Sequence, residues 1–128
     1  MATRFEFKLM KTARYIFLIS GIYGITILVP QLFRENAFAP LTHPEFFYGF
    51  ILVTLAFQVL YLVISSDPLK YRYIMLPGMI SKGAYITSCI ILFLNGRLNK
   101  EILIASSPDL LMLGLFIYCF IITVPNHE

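Results

Sequence analysis

One residue in this chain cannot sit idle where it stands. Lys82 lies inside a long apolar run, roughly 13 Å from its nearer end at helical rise. A charge at such depth costs at least about 2.5 kcal/mol on insertion scales and usually faces the interior of a helix bundle. Its helical neighbours agree: Gly78, Lys82, Tyr85 and Cys89 recur at spacings of four, three and four, flanked by Ser81 and Ser88. The rest of that helix is Ile, Leu and Phe. A second run carries a matching stripe of Thr54, Gln58 and Tyr61, and a first run brings Ser20, Gly21, Tyr23 and Gly24. Small residues of this kind let membrane helices approach closely. Lys82, Gln58, Tyr85, Tyr61 and Ser81 therefore form the candidate ligand-binding set, with a Gln58–Lys82 hydrogen bond at its centre. Two fates remain open for Lys82: contact with a ligand or ion, or a structural place reached by snorkelling or by packing on Gln58 and Tyr85.

Other chemistry is thin. The acids Glu45 and Asp109 read as lying at helix starts and Asp67 in a loop, so no carboxylate is expected at the depth of Lys82. His43 and Glu45 fall short of the three or four ligands a metal site wants. No nucleophile–base pair, nucleotide motif or cofactor motif is visible, which favours binding over catalysis. Cys89 and Cys119 read as separate buried thiols.

The elements that hold these residues follow from composition. The chain has 128 residues, 59% hydrophobic and 13% charged, with a mean hydropathy of +0.79. Soluble domains average about 25% charged residues, and a chain this short could not bury so much Leu, Ile and Phe in water. Four apolar runs appear, at about 15–32, 46–64, 73–94 and 108–124. About 20 apolar residues cross a bilayer as a helix, and in lipid the backbone must satisfy itself within each span. The expected fold is a single all-α domain, a transmembrane four-helix bundle.

Charge sets the expected orientation. Arg4, Lys8, Lys11, Arg14, Lys70 and Arg72 fall on one side, and Arg34, Arg97 and Lys100 on the other. The positive-inside rule places the first set, and both ends of the chain, in the cytoplasm, as a multi-pass protein of the inner membrane. Arg4, Lys8 and Lys11 fit either one face of an interfacial helix or a frayed basic tail. The apolar run at 15–32 ends without a small-residue cleavage site and reads as a retained span rather than a signal peptide. The net charge of +3 fits anionic headgroups, not nucleic acid. The implied partners are the lipid bilayer, a lipophilic ligand or another membrane protein, and self-association into a homo-oligomer stays open.

Helix starts are marked by Thr42-His43-Pro44-Glu45 and Ser106-Ser107-Pro108-Asp109. Each reads as a capping box, with Thr42 and Ser106 as caps and Glu45 and Asp109 reaching back to the backbone. The two boxes, together with Ile19-Ser20 and Ile25-Thr26 set against Ile80-Ser81 and Ile86-Thr87, hint at two duplicated hairpins. Pro77-Gly78 is expected to bend the third helix.

Several stretches taken together (Thr42 to Phe50, Phe57-Gln58, Asp67 to Arg72, Met75-Leu76-Pro77, Lys82, Pro108 to Leu111) resemble a family of short bacterial four-helix integral membrane proteins to which no activity is assigned. That resemblance implies an acid just before the lysine of the third span, where this chain has Ser81. At the level of topology the chain is also similar to the DoxX-like group. This likeness implies a membrane bundle tied to redox or quinone metabolism and assigns no residue.

Overall fold

The computed structural model describes residues 3–35 and 43–125. It is an all-α four-helix bundle: α1 (Arg4–Gln31), α2 (Pro44–Ser66), a short 3-10 turn (Arg72–Ile74), α3 (Met75–Leu94) and α4 (Lys100–Ile122). All four helices are long and apolar enough to cross a membrane, the third span counting from Arg72. Away from the basic opening turns of α1 and the charged start of α4, their outward faces are mostly apolar, with Ile19, Val53, Ile80, Leu111 and Ile121 among the exposed side chains. Water would not tolerate that surface, whereas lipid does. The chain therefore has the character of a multi-pass membrane protein.

α1 begins earlier than its apolar run. Thr3 and Glu6 form a reciprocal capping box, Thr3 N–H donating to Glu6 Oε2 at 2.8 Å and Glu6 N–H donating to Thr3 Oγ1 at 3.2 Å. Arg4, Lys8 and Lys11 are thus the opening turns of α1 itself, neither a separate interfacial helix nor a frayed tail. At 28 residues α1 is about 42 Å long, longer than the roughly 30 Å hydrocarbon layer of a bilayer, which leaves length to spare for its basic opening turns.

α4 also starts earlier than expected, and here a sequence expectation is overturned. The helix begins at Lys100 with Asn99 as its N-cap, so Ser106 is not a cap, Asp109 does not close a capping box, and the fourth span does not start at Pro108. Pro108 lies inside the helix. It has no N–H to give the carbonyl of Ile104, four residues back. Ser107 Oγ donates to that carbonyl instead, at 2.6 Å, and Ser106 Oγ donates to Leu103 O at 2.7 Å. Hydroxyls beside an intramembrane proline repair the broken ladder in this way.

Pro77 falls in the first turn of α3. Its missing N–H is not needed there, so it starts the helix rather than bending it. Pro44 holds the corresponding place in α2, whose N-cap is His43 without a side-chain cap bond. The Glu45 carboxylate meets the His43 ring at 3.1 Å, and Thr42 lies outside the described residues. The α3–α4 connection closes as a Schellman motif. Gly96 takes a φ of +69°, Arg97 N–H donates to Leu92 O at 2.8 Å, and Gly96 N–H donates to Phe93 O at 3.0 Å.

α1 packs chiefly on α2 and α3 chiefly on α4, with looser contact between α1 and α4 and looser still between α2 and α3. Two hairpins thus meet along both seams, more loosely between α2 and α3, where Tyr61 packs on Gly78 and the Phe50 and Tyr85 rings lie 5.9 Å apart. The main core cluster lies at one end of the bundle, while Leu28, Ile51, Ile86 and Cys89 are buried further along it. Ala13, Phe17, Tyr61, Ile64, Met75, Phe116 and Cys119 are buried together near the α2–α3 connection. Phe17 stacks on Phe116 with ring centroids 4.5 Å apart, and Tyr61 meets Phe116 edge-on at 4.8 Å. Arg72 fastens this end by donating from Nε to Phe120 O at 3.2 Å while its guanidinium covers the Phe120 ring. That bond satisfies one of the last carbonyls of α4. Tyr48 fastens the opposite end, its hydroxyl donating to Glu35 Oε2 at 2.6 Å.

Candidate functional site

Because α4 starts at Lys100, Asp109 stands near the middle of a 23-residue span rather than at its edge. It faces Lys82 of α3, whose Nζ donates to Asp109 Oδ1 at 2.5 Å. The lysine at the centre of the third helix thus has an acid partner at its own depth. The resemblance had implied such an acid at position 81. It comes instead from the neighbouring helix of the same hairpin, and Ser81 stays a small polar neighbour.

The pair looks into a cavity of about 440 Å³ lined by all four helices. α1 contributes Tyr23, Gly24, Ile27, Leu28 and Gln31. α2 contributes Phe50, Thr54 and Gln58, and α3 contributes Ser81, Lys82 and Tyr85. α4 contributes Glu101, Ile102, Ala105, Pro108 and Asp109. The lining is mostly apolar, with the ion pair and a few amide and hydroxyl groups set into it, the general character of small-molecule sites. The Phe17–Tyr61–Phe116 aromatic cluster closes one end. Gln31 and Glu101 mark the other, toward the α1–α2 and α3–α4 connections.

Four of the five sequence candidates, Lys82, Gln58, Tyr85 and Ser81, line this cavity together. Tyr61 does not. It is fully buried in the aromatic plug, with its ring 5.8 Å from Lys82 Nζ, and so forms the wall between plug and ion pair. Gly78 on α3 makes room for that ring, since a methyl group there would approach Tyr61 Cε1 to 2.9 Å.

The expected Gln58–Lys82 hydrogen bond is absent. Lys82 is taken by Asp109. Gln58 Nε2 donates to Thr54 O in its own helix at 3.0 Å, and Gln58 Oε1 has no partner. Gly24 on α1 is the space for this amide, because a side chain at that position would overlap Gln58 Oε1. The sequence reading missed Asp109 and Glu101. Both Cys89 and Cys119 are free and buried.

Beside the cavity runs a second, more open groove between α2 and α3, of about 710 Å³. Phe50, Thr54, Ser81 and Tyr85 line both. It follows the looser seam between the two hairpins and opens sideways onto the apolar outer surface. No family model matches the chain, and no curated protein or solved structure is detectably similar to it.

Proposed function

We propose that the protein is a non-enzymatic membrane bundle that binds a lipophilic small molecule, with the polar part of that molecule seated beside Lys82 and Asp109. One observation carries this: a cavity contributed to by every helix, mostly apolar, with an ion pair in its wall. A bundle built only for packing would close around such a pair, because a wetted or empty space beside buried charge wastes contact on every side. The likeness to DoxX-like proteins remains an analogy of architecture within this proposal.

The test is occupancy. Chain extracted with its native lipids in polymer discs should carry a bound non-protein molecule at near one per chain, read by native mass spectrometry. Ala105→Phe projects a ring from α4 into the cavity and should cut that occupancy at least tenfold with helicity unchanged. No such molecule on the native chain, or an equal amount on Ala105→Phe, would overturn the proposal.

A second function, a small oligomeric or ion-coupled carrier, is favoured by a specific feature. Carriers of this size depend on an acid inside the membrane, and Asp109 is one. Against it stands the aromatic plug, which closes one end of the cavity and would have to open in each transport cycle.

The proposed setting is the inner membrane with both ends of the chain in the cytoplasm, from the basic residues at the start of α1 and around the 3-10 turn. Reporter fusions after Glu128 and within the 34–40 connection should then report opposite sides. The same side for both would refute this arrangement.

A further inference from the structure

The ion pair in the cavity wall leaves much of its hydrogen-bonding capacity unspent. A lysine ammonium carries three protons, and an ionised carboxylate two acceptor oxygens. Lys82 and Asp109 share a single hydrogen bond, from Nζ to Oδ1. Beyond the Tyr61 ring, 5.8 Å from Nζ, no other described residue meets the ammonium, and none donates to Asp109 Oδ2. The pair is also within reach of the cavity. Its two side chains keep 12% and 24% of their surface. Asp109 Oδ2 is not sealed off, unlike Gln58 Oε1 and Tyr61 Oη, which lie buried without partners. A free donor and a free acceptor thus stand side by side in the wall. Out of water, both are costly to leave unmet. A water molecule would serve them and leave the apolar remainder of the lining uncovered.

We infer that the occupant is an amphiphile whose polar head carries a hydrogen-bond donor and an acceptor side by side, as a primary amide does. The donor meets Asp109 Oδ2, the acceptor meets Lys82 Nζ, and the apolar chain lies in the groove between α2 and α3. This rests on the cavity being a ligand site and names the class of ligand. Complementarity decides the head. An ester or a tertiary amide answers the ammonium and leaves the carboxylate unmet. An anion also answers the ammonium, and it sets a second negative charge beside Asp109 in a low-dielectric wall. A head with both groups answers both residues without parting them. The groove takes the chain. Ser81 and Tyr85 line it as well as the cavity, so it begins beside Lys82, and it continues over Val53, Phe57, Ile80 and Ala84 as an apolar track.

Three probes with one chain length test it: dodecanamide, N,N-dimethyldodecanamide and dodecanesulfonate. The dimethyl amide keeps the carbonyl and loses both N–H donors, and the sulfonate is an anion at any working pH. Each is equilibrated with the full chain in phosphatidylcholine nanodiscs, and its partition into protein-free discs is subtracted. Dodecanamide should bind saturably at one per chain and at least tenfold more tightly than either of the others. Lys82→Met/Asp109→Leu, which removes the pair without stranding a charge, should bind the two amides within about twofold of each other. That variant separates hydrogen bonding from the bulk of the two methyl groups. The comparison of heads on the native chain needs no variant, so it stands even if the double variant folds poorly. Equal binding of the two amides by the native chain would overturn the inference, as would a sulfonate bound as tightly as dodecanamide. A tenfold preference that persists in a monodisperse, helical double variant would overturn it too, and so would dodecanamide that does not saturate. A bound molecule on the native chain keeps the cavity as a ligand site through any of these results. Absence of saturable binding by all three, together with an unoccupied native chain, would overturn the ligand site itself.

Discussion

Asp109→Leu should destabilise the bundle by about 3 kcal/mol, because it leaves Lys82 as an unpaired charge between helices. Lys82→Met should also destabilise it, by stranding the Asp109 carboxylate. The double variant Lys82→Met/Asp109→Leu should recover most of the loss. Replacing both members of a buried ion pair with apolar groups is often neutral or better, while removing one is costly. Equilibrium unfolding of all four proteins in mixed micelles gives the coupling between the two sites. Losses that simply add in the double variant would show that the pair observed between α3 and α4 is not a coupled unit. The same cycle bears on function. A bundle that keeps the pair only to hold its helices together should bind its ligand normally once both residues are replaced.

The other large effect lies in the plug. Phe116 is completely buried, stacked on Phe17 and edge-on to Tyr61. In water-soluble cores Phe→Ala costs about 3–5 kcal/mol. In lipid the transfer part of that cost shrinks, since the tails outside are as apolar as the core, and the lost packing remains. Phe116→Ala should therefore cost about 3 kcal/mol, at the lower end of that range. It should also open the closed end. With the ring gone, the cavity extends past Tyr61 toward the α2–α3 connection, and proteoliposomes carrying the variant should leak small solutes that the native chain retains. A tight Phe116→Ala bundle with unchanged stability would show that the aromatic cluster is not what closes that end.

The four helices were legible in the sequence because lipid imposes a simple rule, about 20 apolar residues per span, and the chain obeys it. The stripes were legible for the same reason. Against an apolar background each Lys, Gln, Tyr or small residue is a signal, and helical spacing brought Lys82, Gln58, Tyr85 and Ser81 to one place. The acid partner of Lys82 was not legible, because Ser106-Ser107-Pro108-Asp109 has the local grammar of a helix start. Serines before a proline and an acid after it serve a cap and an intramembrane proline equally well. In a cap the hydroxyl accepts from the next turn, whereas here Ser106 and Ser107 donate backward to Leu103 and Ile104. Two signals pointed to the right answer. A span from Pro108 to Val124 is only just long enough to cross the hydrocarbon layer, and Ile102-Leu103-Ile104 just before it is apolar. A charged lysine in lipid also demands a partner, and Asp109 was the carboxylate within reach once the helix was extended. Gly24 carried no sequence signal for its role, since only the position of the Gln58 amide shows what the missing side chain leaves room for.

The reach of the groove has a consequence for access. Its lining on α3 runs from Pro77, in the first turn, to Ser88, so the groove straddles the middle of the span instead of lying in one half of it. On the proposed reading, a molecule in either leaflet would find the same sideways entrance. Occupancy would then follow the total amount of that molecule in the bilayer and be blind to its sidedness.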